Sequence, residues 1–261
     1  MEPYARFLLR FAVSTLAFAQ SFICAVLFLG PALHAEEKCP AEVKLLLSPS
    51  TIQTVIQSLR FEKETAGRVY FFDTDQLDLL KQGVIVRVRQ GADNDLTVKV
   101  RVPEGDKQAV ASQLRKHFQC EIDMTEAGED TDFSVRRKYK ALQVPDMGAD
   151  IFPLLSLPQQ RLLQEAQVSI DWNRVKRIAD IKLTKWEASA QAPFHKLALE
   201  LWEWPAGSIL ELSTKVGPDE AQSKYAGLRQ LVNRERLSLS ASQGTKTSIV
   251  LGTITHHPSP P

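Results

Sequence analysis

No Gly-rich phosphate loop and no Gly-x-Ser-x-Gly elbow occurs in this sequence, which removes the P-loop nucleotide site and the hydrolase nucleophile turn from consideration. Its five histidines include His195, His256 and His257, none of them spaced as zinc ligands or as the base of a nucleophile. An excess of one sign of charge is also missing. The 32 Lys and Arg residues against 31 Asp and Glu leave a net +1, so the molecule as a whole favours neither nucleic acid nor a membrane surface, and any cationic site must be local. No internal repeat and no linker-like stretch divides the chain. What remains is a globular composition, 44% hydrophobic and 24% charged over 261 residues with 12 Gly and 14 Pro, which fits one sizeable domain with a substantial core.

The first 35 residues differ in kind from the rest. Arg6 and Arg10 precede the apolar run "FAVSTLAFAQSFICAVLFLG", and Ala35 stands just before an abrupt change to charge, which reads as an export signal. Leu33 sits where cleavage favours a small residue, and Phe11 to Leu29 would span about 28 Å as a helix, enough for a retained anchor. Both readings place the folded part in the periplasm or outside the cell, with membrane contact only if the segment is retained. Cys24 lies within this segment and lacks the small residues that precede a lipid-anchored cysteine. Cys39 and Cys120 are then an even pair in an oxidising compartment; a disulfide is expected, with two buried thiols as the alternative.

Downstream, "AEVKLLL" (41–47) reads as a strand and "SPSTIQTVIQSLR" as a helix opening with Pro49. "RVYFFDT" is a strand, and a short helix over Gln76–Gln82 is ended by Gly83. "GVIVRVRQGADNDLTVKVRV" (83–102) is a β-hairpin, and "HFQCEIDM" (117–124) alternates as a strand with Glu121 and Asp123 on one face. The middle, with "EAGEDTD", "RRKYK" and the helix-like "LPQQRLLQEA", reads mostly as loop. "QVSIDW", "IADIKLTKW", "KLALELWEW" and "SILELSTKV" read as strands, the last two joined by the turn Trp204–Gly207. Pairing Glu203 with Ser208 puts Glu200 directly opposite Glu211, about 5 Å away. A helix from Pro218 to Arg236, a last strand at "TKTSIVL" and a disordered-looking tail over 253–261 complete the reading.

The hairpin poses the functional question. Its valines 84, 86, 88, 98, 100 and 102 share one face, while Arg87 and Arg89 on one strand and Lys99 and Arg101 on the other take the opposite face. Two like charges about 5 Å apart repel by roughly 3 kcal/mol at an effective dielectric near 20, so such a crowd needs acids or an anion opposite. One reading is a solvated outer face. The other closes the strands into a barrel whose lumen collects these cations with Glu42, Glu121, Asp123, Glu200 and Glu211, able to hold a phosphate chain and a divalent metal.

These segments, in order from residue 41 to about 250, resemble the CYTH, or triphosphate tunnel metalloenzyme, superfamily; the aromatic "YFFDT" stretch and the following basic hairpin carry most of the resemblance. It implies an α+β fold, an antiparallel eight-stranded β-tunnel with flanking helices over residues 40–252. It further implies a triphosphate-type compound or polyphosphate as ligand, Mg2+ or Mn2+ as cofactor, and phosphoanhydride hydrolysis as the activity. Glu42 and Lys44 match the second Glu and the Lys of the family's Glu-x-Glu-x-Lys motif, whereas Pro40 stands at the first Glu and cannot coordinate through its side chain. The resemblance assigns Lys44 and Glu42 to catalysis, Arg87, Arg89, Lys99, Arg101 and Lys182 to phosphate, and Glu42, Glu121, Asp123 and Glu211 to metal; Glu200 joins the metal set from hairpin pairing alone. Arg136, Arg137 and Lys246 are further candidate cations, unranked against Lys182. A non-catalytic exported phosphate-binding module, or a structural protein with internal salt bridges, are the alternatives. The "VRRKYK" run (135–140) reads as a solvated loop and not as a nucleic-acid patch.

Overall fold

The computed structural model describes residues 38–256 except 92, 103–107, 142–143, 147 and 189–192. The signal-or-anchor reading of residues 1–35 and the end of the tail, 257–261, lie outside the described residues. Among those described, no helix is long and apolar enough to cross a membrane.

In chain order the elements are β1 (Ala41–Leu47), α1 (Ile52–Ser58), β2 (Lys63–Asp73), α2 (Asp78–Lys81), β3 (Val84–Gly91), β4 (Asp95–Val102), α3 (Gln108–Arg115), β5 (Gln119–Thr125), β6 (Gly128–Lys138), α4 (Leu157–Glu165), β7 (Lys176–Ala188), β8 (Leu197–Trp204), β9 (Gly207–Val216), α5 (Ala221–Arg234) and α6 (Lys246–His256). The strands close into a barrel in the order β1-β5-β6-β4-β3-β2-β7-β8-β9. The expected α+β tunnel is present, with nine strands in place of eight. One seam is parallel: β1 meets β5 over Ala41↔Ile122, Glu42↔Asp123 and Val43↔Met124, while the other pairings are antiparallel. A Cys39–Cys120 disulfide joins the two strands at that seam.

Alternation decides which side chains line the barrel. On the outside, Val43, Leu45, Leu199, Leu210 and Leu212 pack beneath α1 and α5 through Val55, Leu228, Leu231 and Val232. The hairpin valines, with Leu96 and Phe133, pack beneath α3 and α4 through Leu114, Leu162 and Leu163. Helix α4 is pinned by a capping box at Ser156 and Gln159. The buried Gln159 amide donates to the carbonyls of Leu96 (2.9 Å) and Val135 (3.3 Å), so its polar end is satisfied by the barrel wall. At the start of the hairpin Gly83 has φ +75, and a Cβ there would lie 2.5 Å from the Arg101 carbonyl oxygen, so only glycine lets the strands close.

Three readings of the sequence are corrected. "TKTSIVL" is the start of α6 and not a strand: Thr245 Oγ1 accepts from the Ser248 N–H at 3.3 Å as an N-cap, and the closed barrel offers no free edge for another strand. The helix also takes in residues 253–256, the first part of the supposed tail. "QVSIDW" forms no strand, because Gln82 exchanges two side-chain hydrogen bonds with the backbone of Ser169 and Asp171 caps a 3-10 turn at Trp172–Arg174. The stretch read as loop around "EAGEDTD" and "RRKYK" contains β6, whose acids had disguised an ordinary two-residue alternation.

Candidate functional site: the charged lumen

The inward residues divide into two groups. Leu46, Val69, Phe71, Ile85, Ile181, Leu183, Trp202 and Ile209 form an apolar cluster, and α6 adds Val250 and Leu251 to it, so this helix closes against the inward face. The other inward positions are mostly ionic, with Thr97, Ser134 and Ser213 among them. The basic hairpin faces in, and its valines face out under helices.

Arg101 donates to Asp132 (Nε–Oδ1 2.9 Å) and Asp123 (3.1 Å), with Asp130 at 3.3 Å, and also reaches Thr245 at 3.3 Å. Lys99 bridges Asp132 at 2.6 Å and Asp123 at 3.4 Å. Arg89 grips Asp95 at 2.5 Å and Asp93 at 3.1 Å. Lys44 sits 3.0 Å from Glu42 and 2.7 Å from Asp123. Burial depresses the Lys44 ammonium, but Glu42, Asp123 and Glu211 outweigh it and hold its pKa well above the usual lysine value. The same contacts act in reverse on the acids: burial pushes Asp123 up, and Lys44 and Lys99 pull it well below the carboxylate range. Glu42 is likewise lowered, by Lys44 and Lys215 against its burial.

Arg87 is the exception. Its side chain points into the lumen with Nε buried and without a hydrogen-bond partner, and among the described residues it makes no ion pair. Burial, reinforced by the neighbouring Arg89, lowers its pKa, whereas Asp95, Glu200 and Asp123 act on it only from a distance. A buried N–H without a partner is costly, and the half-buried guanidinium offers a planar fork of donors that matches phosphate oxygens.

The acids fall into two sets. Glu42, Glu121 and Asp123 each offer an oxygen within 4.8 Å of the others. An all-carboxylate donor set suits a hard divalent cation such as Mg2+ or Mn2+, so these residues fit a metal, although Lys44 and Lys215, the latter paired with Glu121, already offset part of the charge. Glu200 and Glu211 are direct register partners on β8 and β9, as the hairpin pairing implied. Between them stands the ammonium of Lys246, bound to Glu200 and 2.8 Å from Glu211, with the Trp202 ring 4.6 Å away. Burial raises both carboxyls, yet Lys246 takes Glu200 down to about 2, while Glu211, which shares that ammonium and faces Glu200, stays above the ordinary value.

Lys182 stands apart from all of this. Ile181 and Leu183 point inward, so Lys182 points out, 63% exposed and paired with Glu203 at 2.9 Å, which corrects its assignment to the lumen. Arg136 and Arg137 are exposed on β6, the latter over the Tyr139 ring. Sequence reasoning missed Asp95, Asp130 and Asp132, the acids that neutralise the hairpin. The signal was present in "DTDFSV", where acids and Ser134 alternate with Phe133 and Val135.

The chain matches no family model and no curated protein. Among solved structures it is similar to HpAC1 from Hippeastrum, described as an adenylyl cyclase candidate with a dominant triphosphatase activity: TM-score 0.55 and 16% identity over 81% of this chain and 95% of that one. It is similar as well to a candidate adenylate cyclase, bh2851, from Bacillus halodurans, with TM-score 0.52 and 16% identity over 81% and 97% of the two chains. The barrel therefore shares its fold with these two proteins, the closed tunnel that the resemblance implied.

Proposed function

We propose that the lumen binds a short phosphate chain of the tripolyphosphate type, together with one divalent ion at Glu42, Glu121 and Asp123. The observation that carries this reading is Arg87, a half-buried guanidinium on the inward face of a closed barrel, its Nε buried and unpartnered and without an ion pair among the described residues. Arg89, Lys99 and Arg101 lie on the same hairpin face, each paired with an acid whose place a phosphate oxygen would take. The triphosphatase activity described for the Hippeastrum protein supports a phosphoanhydride ligand. A metal in the carboxylate set would supply screening of phosphate charge and a more acidic water. The chain's own contribution is to hold the phosphates between Arg87 and Arg89, to exclude bulk water with the closed wall, and to keep Lys44 protonated beside Glu42 for a phosphate or water contact. Hydrolysis is the expected activity, and Mg2+ or Mn2+ the expected cofactor. We place the protein outside the cytoplasm, a reading supported by the Cys39–Cys120 bond.

A second reading, binding without turnover, is favoured by Pro40 at the first position of the motif and by the near-complete internal pairing of Lys44, Lys99 and Arg101. One experiment addresses both. The full chain is melted and assayed for phosphate release with tripolyphosphate, ATP or long polyphosphate, each with Mg2+, Mn2+ or chelator. A ligand-dependent rise in Tm establishes binding, metal-dependent release establishes turnover, and the absence of both would overturn the phosphate proposal. In Arg87→Met the ligand-dependent rise should vanish while the unliganded protein melts at the same temperature or higher, because a half-buried charge without a paired acid has been removed. A lower unliganded Tm would show that Arg87 already has a partner.

A further inference from the structure

The Glu200–Glu211 pair belongs chemically to the acids that the resemblance gives to metal, yet its surroundings differ from those of Glu42, Glu121 and Asp123. The two glutamates sit opposite each other on adjacent strands of a closed wall, where two carboxylates cannot both be buried without a cation between them. That cation is supplied from another element. Lys246 is the first residue of α6, and Thr245 before it caps the helix and accepts from Arg101, so the lysine leaves the helix start directly beneath the charged part of the lumen. Its ammonium contacts both carboxylates and faces the Trp202 ring, whose Nε1 donates to Glu200 at 3.2 Å. Val250 and Leu251, one turn further along, are buried in the inward apolar cluster and hold the helix there.

We infer that Lys246 is a built-in cation occupying the Glu200–Glu211 pair, so that this pair takes no divalent ion in the intact chain and serves to fasten α6 across the barrel. The inference deepens the proposed metal-assisted phosphate site, on which it rests, by restricting that site to one ion. An ammonium with these contacts is a strong competitor: it brings its charge covalently, at high effective concentration, and a divalent ion entering the pair would have to displace it from both carboxylates and from the Trp202 ring.

The test is a count of Mn2+ bound per full chain, by paramagnetic resonance or calorimetry without phosphate. Wild type should bind one ion, and Lys246→Ala should bind one more, with the gained ion lost again in the Lys246→Ala, Glu200→Gln double variant. Equal counts in wild type and Lys246→Ala, or two ions in wild type, would overturn the inference. Should wild type bind none and Lys246→Ala one, the lysine assignment stands while the metal part of the proposed function fails, so the two readings fail separately. A measurement on unmodified wild type guards against a variant that does not fold. With an amine-acetylating reagent under native conditions, Lys246 should remain unlabelled while exposed Lys182 is labelled; labelling of both at similar rates would overturn the inference.

Discussion

Phe71 and Arg87 are register partners on neighbouring strands and both point into the barrel, yet one packs against Trp202 with ring centroids 5.8 Å apart and the other has no hydrogen bond or ion pair among the described residues. They mark the border between the apolar and the ionic parts of one lumen. In the apolar part, stability comes from burial and shape, and no side chain there waits for anything. In the ionic part, the cations are paired with acids, some from their own hairpin or strand and some from distant segments, and Arg87 is the exception. The same alternation builds both parts; residue identity alone separates a plug from a site.

Four changes sharpen or break that contrast, in decreasing order of effect. Phe71→Ala should cost about 3–5 kcal/mol in denaturant unfolding, as a large fully buried ring leaves a cavity, with ligand-dependent stabilisation reduced little. Lys99→Met should cost about 1.5–3 kcal/mol, because Asp132 and Asp123 lose a charged partner, and should weaken phosphate binding as well; a loss of stability without any loss of binding would place Lys99 in the framework only. Acid should weaken the α6 contact with a defined sign. The Glu200 carboxyl is depressed from 4.5 to about 2, so its contribution is complete above the ordinary carboxylate range and disappears as pH falls toward about 2. Melting curves between pH 7 and 2 should therefore drop less steeply in Glu200→Gln than in wild type. Lys182→Ala should change stability by less than about 0.5 kcal/mol and leave binding untouched, since an exposed pair with Glu203 on the outer wall contributes little.

Much of the barrel was legible in the sequence because its strands carry a clean period of two. "AEVKLLL", the basic hairpin and the Trp204–Gly207 hairpin fall where the alternation put them, and Glu200 faces Glu211 as the turn geometry required. Legibility failed where local chemistry was ambiguous. The run "SIVL" suits a strand or a buried helix equally well, and only the absence of a free barrel edge settles it as helix. β6 carries acids at its inward positions and arginines at its end, a composition that imitates a loop when its partners are unknown. The site was half visible: cations announce themselves on a valine-backed strand, but their counter-charges Asp130 and Asp132 come from β6 and are assigned by its register against β4, while Asp95, opposite Arg89 in the hairpin itself, was within reach of the sequence. Lys246 was visible only as a basic residue without a place.

The parallel seam between β1 and β5 has three register pairs, the fewest of any seam, and it is the one parallel joint in the ring. The Cys39–Cys120 bond ties together residues 81 apart in the chain at that joint. An unfolded chain that keeps the bond has already brought the last two staves of the hoop side by side, and in the chain-entropy account this head start amounts to about 4.5 kcal/mol. Glu42, Glu121 and Asp123 all lie within three residues of the two sulfurs, so a reductant that loosens the hoop would first disperse the carboxylates gathered beside it.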